Sequence, residues 1–433
     1  MRFTPLFLVL AGLLTTGQTL AANLGDILRL ARDNDAVYAA ARQSHLAGQE
    51  ALPQGRALLL PTVSLGGYLR HNDVDTDASR TNYRSHNYGL SLTQPLYRKQ
   101  NLEAYEQAKL AALLAEQQLR LAEQDLVLRV AQAYFDVLLA QDTLATVEAQ
   151  KRAFGEQLAQ ARKSFEVGAA TIVDTHEAQA RYDQASAQEI AGRNDLEVKR
   201  RALERLIAQP APGLASLDTA ARMPLPVPED MDAWVKQAEA DGLAVLTAQT
   251  ALESARREVA RQRGGHHPTL DLTASYGKTH TGSGATSSGD TRSGTLGLEL
   301  GWALYQGGAQ SSRVREALAK QEKARFDLED ARRQSTLGAR EAYLGVVSGD
   351  AQVKALEQAL VSSESQLKST KLGLEVGVRT RVDVLNAQQQ LFTTQRDLAS
   401  ARYQTLLAGL RLKAAAGTLA DGDLQALDAL LKQ

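Results

Sequence analysis

Histidines are the first side chains to examine for chemistry, because neutral imidazole is the commonest metal ligand in proteins. His176 and Glu177 begin like the H-E-x-x-H helix of a zinc protease, but Ala180 stands where the second histidine is required. His266 and His267 are adjacent, yet no carboxylate lies at a convincing ligand spacing, so we interpret the pair as loop residues. The sequence therefore predicts no metal site.

Nucleophilic and phosphate-binding motifs are absent from the sequence. It contains no cysteine, which excludes disulfides, thiolate nucleophiles and a lipid-modified N-terminal cysteine. Neither G-x-S-x-G nor the P-loop pattern occurs, and the glycines between residues 282 and 289 lie in a polar segment without a strand–helix context. We predict a protein that is not an enzyme and that needs no cofactor.

Two T-x-x-D segments, each following a glycine, have the best-defined spacing in the chain. Gly168 precedes the segment at residues 171–174, and Gly377 precedes the segment at residues 380–383. Glycine favours the left-handed conformation that ends a helix, and T-x-x-D is a variant of the capping box that begins the next one. Each segment therefore predicts a tight turn between two helices.

The two turns belong to a repeat that covers most of the chain. F-E-V-G at residues 165–168 returns as L-E-V-G at residues 374–377, an offset of 209, and V-D at 173–174 returns at the same offset. We therefore divide the mature chain as follows: a first repeat at 23–209, a proline-rich connector at 210–232, a second repeat at 233–417 and a C-terminal segment at 418–433.

Each repeat contains two runs in which apolar and polar residues alternate with a period of two. These runs, at about 62–70, 86–94, 269–277 and 294–302, fit barrel strands with lipid on one face and water on the other. The same pattern also fits two hairpins on a soluble domain. Polar loops are expected between the paired strands, at 72–84 and 278–292.

The remainder of each repeat has the composition of long helices. The stretch from Tyr97 to Val167 lacks proline, is rich in Ala, Leu, Gln and Glu, and would measure about 105 Å as a helix. Heptad spacing along it, for example Leu126, Ala133 and Ala140, predicts coiled-coil packing. Such a long helix cannot bury its apolar stripe within one compact domain, so neighbouring helices must cover it.

Composition and the first residues indicate export. The chain has 49 basic and 50 acidic side chains, a net charge of −1, which argues against nucleic-acid binding. Arg2, an apolar run at 6–14 and small residues up to Ala22 follow the order of a secretory signal peptide, which we assign to 1–22. Four strands cannot close a barrel, and an open edge in lipid is costly, so transmembrane strands would require further copies of the chain. Three copies would supply twelve strands and leave a lumen.

Three segments resemble the TolC family of outer-membrane efflux and secretion channels. They are residues 267–275 (HPTLDLTAS), 304–308 (LYQGG) and 376–385 (VGVRTRVDVL). The resemblance implies a mixed α and β membrane protein: a homotrimer with one twelve-stranded transmembrane β-barrel, continued by an α-helical coiled-coil barrel across the periplasm, with two structural repeats per chain. The connector and C-terminal segment would form an equatorial belt. Partners would be outer-membrane lipid, a periplasmic adaptor (membrane fusion protein) and a proton-driven or ABC-type inner-membrane pump.

The resemblance also implies a gate at the periplasmic tip. Arg379 resembles the family's gating arginine, with the backbone of Val173 and the carboxylate of Asp174 as its expected partners. A second family lock uses a tyrosine where this chain has Leu374, so we predict a closed state held mainly by Arg379, with Arg381 as a second contributor. The alternative is that Arg379 is a solvated surface charge.

The same resemblance assigns two further roles at the tip. Asp383 would form an acidic ring that favours cations; the family's second ring position is Asn386, so three charges are expected instead of six, and strong cation block is in doubt. The adaptor-contact residues would be those of the two turns: Val167, Gly168, Ala169, Val376, Gly377 and Val378.

The function implied is a passive exit duct for an efflux pump, a type I secretion system or both. The sequence does not decide the cargo, the adaptor or the pump. An alternative of another class is a trimeric coiled-coil surface protein or adhesin that uses the strands as an anchor. The internal repeat opposes this alternative, because a stalk needs no turn at the tip of each half.

Overall fold

The computed structural model describes residues 21–77, 79–218, 222–285 and 287–432. The signal peptide assigned to 1–22 lies outside the described residues except for its last two positions. The helices are α1 Leu24–Asn34, α2 Ala36–Gln49, α3 Ala51–Ala57, α4 Lys99–Glu166, α5 Ile172–Ile207, α6 Met231–Asp241, α7 Leu243–Gly264, α8 Ala309–Glu375, α9 Arg381–Ala415 and α10 Asp421–Asp428. The strands are β1 Thr62–Thr76, β2 Ser79–Tyr97, β3 Ser216–Leu217, β4 Thr269–Thr281, β5 Gly289–Gly301 and β6 Leu431–Lys432.

The four long strands form one antiparallel sheet in the order β1-β2-β4-β5. Each repeat contributes one hairpin, and the register of β2 against β4, with Leu90 opposite Tyr276, joins the two repeats. The outer strands β1 and β5 have no neighbour within the described part of the chain. The sheet of a single chain therefore has two open edges.

The strands extend well beyond the alternating runs seen in the sequence. The polar loops expected at 72–84 and 278–292 are therefore shorter than predicted. Both hairpins continue as paired strands through these polar residues, with Asp73 opposite Asn82 and Lys278 opposite Arg292. Cross-strand ion pairs stabilise the extensions, such as Arg80 with Asp73 at 2.9 Å. Backbone pairing continues where the side chains become polar, so hydrophobic alternation marks the apolar band and not the strand ends.

One face of the sheet is apolar and exposed. On β5, Leu296, Leu298 and Leu300 are 76%, 67% and 72% exposed, and Leu65 and Leu69 on β1 are similarly open. Exposed leucines in continuous rows mark a surface that is covered in the working protein. No helix within the described residues is both long enough and apolar enough to cross a membrane.

The helices form two long hairpins that extend away from the sheet. α4 has 68 residues and α8 has 67, and they pair with α5 and α9 respectively. Nearer the sheet, α2 and α7 pack against α4 and α8 in place of α5 and α9. The four helices then lie side by side in the order α2-α4-α7-α8. Gly155 does not interrupt α4.

Several of the predicted heptad positions are fully buried, whereas others, such as Ala133, are half-buried. In α4, Leu126, Val130 and Val137 are almost inaccessible, and Val346 and Val353 hold the same place in α8. The largest apolar cluster lies where α1, α4, α5, α9 and α10 meet. There β3 in the connector pairs with β6 near the C-terminus, so the two segments expected in an equatorial belt pack on each other.

Candidate functional site

The far end of the two hairpins carries the two predicted turns. Gly168, between α4 and α5, has φ +73°, and Gly377, between α8 and α9, has φ +82°. Each helix closes with a backbone bond across its turn, from the Ala169 amide to Ser164 (2.7 Å) and from the Val378 amide to Gly373 (2.9 Å). Glycine is required because an L side chain is strained at these φ values.

Both turns are followed by complete capping boxes. The Asp174 carboxylate accepts from the Thr171 amide at 2.9 Å and from the Thr171 hydroxyl at 2.7 Å. The Asp383 carboxylate accepts from the Thr380 amide and hydroxyl, both at 2.9 Å. Each aspartate therefore begins its helix while retaining its charge.

The same contacts keep these carboxyls ionised. Hydrogen bonds from Thr380 lower the pKa of Asp383 below its ordinary 3.8, and the nearby charge of Arg379 adds to the effect. Hydrogen bonds from Thr171 lower the pKa of Asp174 likewise, and here the contributing charge is Arg381. Two negative charges are thus fixed at the tip at neutral pH, each beside an arginine.

Within a single chain, Arg379 does not contact the partners expected from the sequence. Its side chain lies over Gly373, where an added Cβ would come within 2.7 Å of its Cγ. Among the described residues it makes no hydrogen bond or ion pair with Val173 or Asp174, whose Oδ2 accepts the bonds of its own capping box. The expected contact of Arg379 with Asp174 is therefore absent within a protomer.

Arg381 is the arginine that connects the two hairpins. Its Nη2 donates to the Ser164 hydroxyl at 2.8 Å, which ties the start of α9 to the last turn of α4. Its Nη1 is buried and has no hydrogen-bond partner among the described residues. The charge of the same guanidinium also lowers the pKa of Asp174, although the two side chains form no hydrogen bond or ion pair among the described residues.

Asn386 forms a second connection between the hairpins. Its side-chain oxygen accepts from Arg181 on α5 at 3.0 Å, and Arg181 lies 4.0 Å from Glu177. The preceding residue, Leu385, packs with Phe154 and Ala185 in a small apolar cluster. The position that is neutral in the predicted acidic ring therefore also holds α9 against α5.

The motifs in the sequence do not identify Ser164 or Arg181, although the repeat contains a signal for Ser164. Ser164 occupies the position that Gly373 occupies in the second repeat, at the same offset of 209. The first accepts a hydrogen bond from Arg381 and the second makes room for Arg379. A small residue at both positions marks where an arginine lies against the preceding helix.

The predicted adaptor-contact residues are the most exposed apolar side chains of the tip. Val167, Val376 and Val378 are 78%, 67% and 75% exposed, and Val173 is 66% exposed. Gly168, Ala169 and Gly377 form the backbone between them. Isolated exposed valines are ordinary, but several on adjoining turns form a patch suited to a protein partner.

Both repeats match one known family over nearly their full length. The outer membrane efflux protein family matches residues 27–209 and 234–418, on either side of the connector. The chain belongs to the outer membrane efflux protein family. The resemblance to TolC-type channels is thereby confirmed, together with the two-repeat channel-tunnel fold.

Individual relatives agree with this assignment. The outer membrane protein TolC of Vibrio cholerae is 33% identical over 434 residues, covering 100% of this chain and 99% of its own. The alkaline protease secretion protein AprF of Pseudomonas aeruginosa is 34% identical, covering 95% of this chain and 88% of its own. The crystal structure of the CmeC outer membrane channel of Campylobacter jejuni has the same fold, with a TM-score of 0.81 at 15% identity over 95% of this chain and 90% of its own. This efflux-family chain is an outer-membrane protein whose helices extend into the periplasm.

Proposed function

We propose that the chain is one protomer of a homotrimeric exit duct in the outer membrane. The observation that carries this proposal is the match of both repeats to the outer membrane efflux protein family, combined with a sheet that is open at both edges. Family membership favours a duct over the coiled-coil adhesin. The duct itself is passive and not an enzyme, and an inner-membrane pump, coupled through a periplasmic adaptor, supplies the energy.

Trimer formation follows from the two open edges. β5 of one protomer pairs with β1 of the next, so three four-stranded sheets close into a twelve-stranded barrel without unpaired backbone in the lipid. The exposed leucine rows then face the hydrocarbon. The long hairpins continue the ring as a helical tunnel.

The gate lies at the tip, where α8 and α9 are held against α4 and α5. Among the described residues, the contacts that do this nearest the turns are Arg381 to Ser164 and Arg181 to Asn386. Arg379 has no partner of this kind in its own chain, so we assign its contact with Asp174 to the neighbouring protomer. Opening requires the hairpins to separate and these contacts to break.

The constriction favours cations because of Asp383. Three symmetry-related carboxylates surround the axis, and the Thr380 hydrogen bonds keep them charged. Asn386 adds no charge, and the arginines nearby weaken the field. We therefore expect a modest cation preference and weak block by multivalent cations.

The exposed valines of the two turns contact the adaptor. Relatives of this chain include TolC and a protein named for alkaline protease secretion, so both drug efflux and type I secretion are candidate activities. The choice between them depends on the adaptor that docks on this tip.

A reversible cross-link tests the duct and its gate together. The chain has no cysteine, so Ser164→Cys and Arg381→Cys can be joined by a bis-methanethiosulfonate reagent, whose spacer replaces the reach of the arginine side chain that a direct disulfide lacks. In a host lacking the native gene, the double variant treated with this reagent should block dye efflux or protein secretion, and reduction of the link should restore it. Each single cysteine variant should export in both conditions. Unimpaired efflux and secretion in the deletion host, together with loss of surface adhesion, would favour the adhesin.

A further inference from the structure

A groove rich in basic residues lies where the helices meet the sheet. It runs between the start of α4, the end of α7 and α8, and has a volume of about 540 Å³. We call it the basic groove; the side chains used below are Lys99, Glu103, Arg256, Arg263, His267 and Leu318. Most of the charged lining lies on α4 and α7, the two inner helices of the order α2-α4-α7-α8, and α8 closes the groove on its outer side.

Cations outnumber carboxylates in the basic groove. Glu103 is buried and is paired with Lys99 at 2.6 Å. Arg256 lies 3.3 Å from Glu253 but keeps 58% of its side chain exposed. Arg263 is exposed and forms no ion pair with any residue in the described ranges. The groove therefore presents positive charge that the protein itself leaves uncompensated.

The basic groove lies next to the end of the sheet face that carries the exposed leucines. Tyr97 is the register partner of Leu270, which in turn lies opposite Leu300 on the apolar face. The Tyr97 hydroxyl is 3.4 Å from Nδ1 of His267, a lining residue of the groove. The groove thus adjoins the end of the apolar face at the helical, periplasmic side.

Exposed aromatic residues stand beside the groove. The Trp302 indole donates to the carbonyl of His266 at 3.0 Å and remains 62% exposed, and Tyr305 is 86% exposed. Exposed tryptophan and tyrosine next to an apolar band mark the depth of lipid headgroups. The cations of the groove therefore lie at the level of the headgroup phosphates.

We propose that the basic groove binds the phosphate of an anionic phospholipid in the periplasmic leaflet. The acyl chains lie along the leucine rows, and Arg256 and Arg263 bind the phosphate with charge-assisted hydrogen bonds. Leu318, part of the groove wall, contacts the glycerol end of the chains. This assignment goes beyond export, and it depends on the outer-membrane location and not on the gate.

Trp302 is a built-in reporter for this lipid. The full chain is reconstituted in phosphatidylcholine vesicles containing a small fraction of phosphatidylglycerol with brominated acyl chains, which quench nearby tryptophan. The other tryptophan, Trp234, is buried against Val346 and Leu412 and gives a constant background. At equal mole fraction, brominated phosphatidylglycerol should quench Trp302 more strongly than brominated phosphatidylcholine.

Charge removal tests the assignment against a matched control. Arg256→Gln with Arg263→Gln should weaken the preference for phosphatidylglycerol about 30-fold, the effect of two lost charges near a membrane surface. Lys368→Gln with Lys371→Gln removes the same charge near the tip and should leave the preference intact. Equal quenching by both lipids in the native protein would overturn the proposal, as would an unchanged preference in the groove variant. Removal of the preference by inorganic phosphate at constant ionic strength would also overturn it, in favour of a free-phosphate site. Channel conductance measured on the same samples is expected to be unaffected, which separates failure of this proposal from failure of the duct.

Discussion

At the residue scale, the tip combines two arginines with two aspartates that are tied into their own helix caps. The carboxylates of Asp174 and Asp383 are held by threonines, so neither is free to bind an arginine with all of its oxygen lone pairs. The two repeats differ in their arginines. Arg379 and Arg381 of the second repeat correspond, at the offset of 209, to Ala170 and Ile172 of the first. The arginines of the proposed gate are therefore additions to a shared turn.

The capping boxes were readable from the sequence, whereas the contacts of the arginines were not. T-x-x-D after glycine is a local pattern whose geometry is fixed by the backbone. The bond from Arg381 to Ser164 spans 217 residues and depends on how two hairpins pack, which no local pattern encodes. A long, flexible arginine side chain can reach several partners, so the sequence alone does not decide which groups Arg379 and Arg381 contact.

The pH dependence of ion selectivity follows from Asp383. Its pKa is lowered in the folded protein, so the capping contact contributes stability above pH 3.8 and loses it as pH falls through the lower folded value. The carboxylate ring therefore stays charged at a pH where an ordinary aspartate is half protonated. The cation preference, measured from reversal potentials in a salt gradient, should persist at pH 3.8. A preference that disappears well above pH 4 would contradict this assignment.

Loss of Arg381 should loosen the gate. Arg381→Ala removes the bond to Ser164, worth on the order of 1 kcal/mol per protomer, which corresponds to about a fivefold shift toward the open state. Mean conductance in a planar bilayer should rise. Arg396→Ala, which removes an exposed arginine paired with the adjacent Asp397, is the matched control and should have no effect.

Conductance also tests Arg379, and the outcome decides whether a contact between protomers helps to keep the proposed gate closed. If Arg379 binds Asp174 of the neighbouring protomer, Arg379→Ala should raise mean conductance as well. An unchanged conductance would remove Arg379 from the gate and identify it as a solvated surface charge.

At the element scale, the fold depends on helices far longer than a globular core can cover. The absence of proline and the heptad spacing predicted α4 almost to its ends, because both signals are local and repeat over many turns. The strand ends were less predictable. Hydrophobic alternation stops where the apolar band stops, but backbone pairing continues into polar residues such as Asp73 and Arg80.

Glycine at the tip should be irreplaceable, unlike glycine within a helix. Gly377→Ala places a side chain at φ +82° and should destabilise the turn by about 1–2 kcal/mol. Gly338→Ala lies within α8, with no atom within 4 Å of the added methyl group, and should stabilise the helix by up to about 1 kcal/mol. Hydrogen exchange of the amides near each site measures both effects. Equal protection in the two variants would contradict the role of Gly377.

At the scale of the whole molecule, a single chain leaves surfaces uncovered that other molecules must cover. Its sheet has two open edges and its leucine rows are exposed. The sequence indicated this incompleteness through strand arithmetic and helix length, and the family resemblance specified three copies. The sequence does not predict how protomers are placed relative to one another, because contacts between copies produce no periodic pattern of apolar and polar residues in the sequence.

The orientation of the sheet in the membrane gives a prediction for neighbouring positions. Leu296→Lys puts a charge on the exposed apolar face and should cost about 2–4 kcal/mol of stability in the membrane. Thr295→Lys puts the same charge one residue away on the opposite face and should be tolerated. Yield of heat-modifiable oligomer from outer membranes measures the difference. Similar yields for both variants would contradict transmembrane strands.

The central claim is that this chain forms a gated, cation-preferring duct, and planar-bilayer conductance of the purified protein tests it most directly. The native protein should give small, uniform current steps that prefer cations, and Asp383→Asn should keep the steps but lose the preference. Oligomers of verified integrity that insert into the bilayer and conduct no current, in the native protein and in the Arg381→Ala variant alike, would contradict the duct.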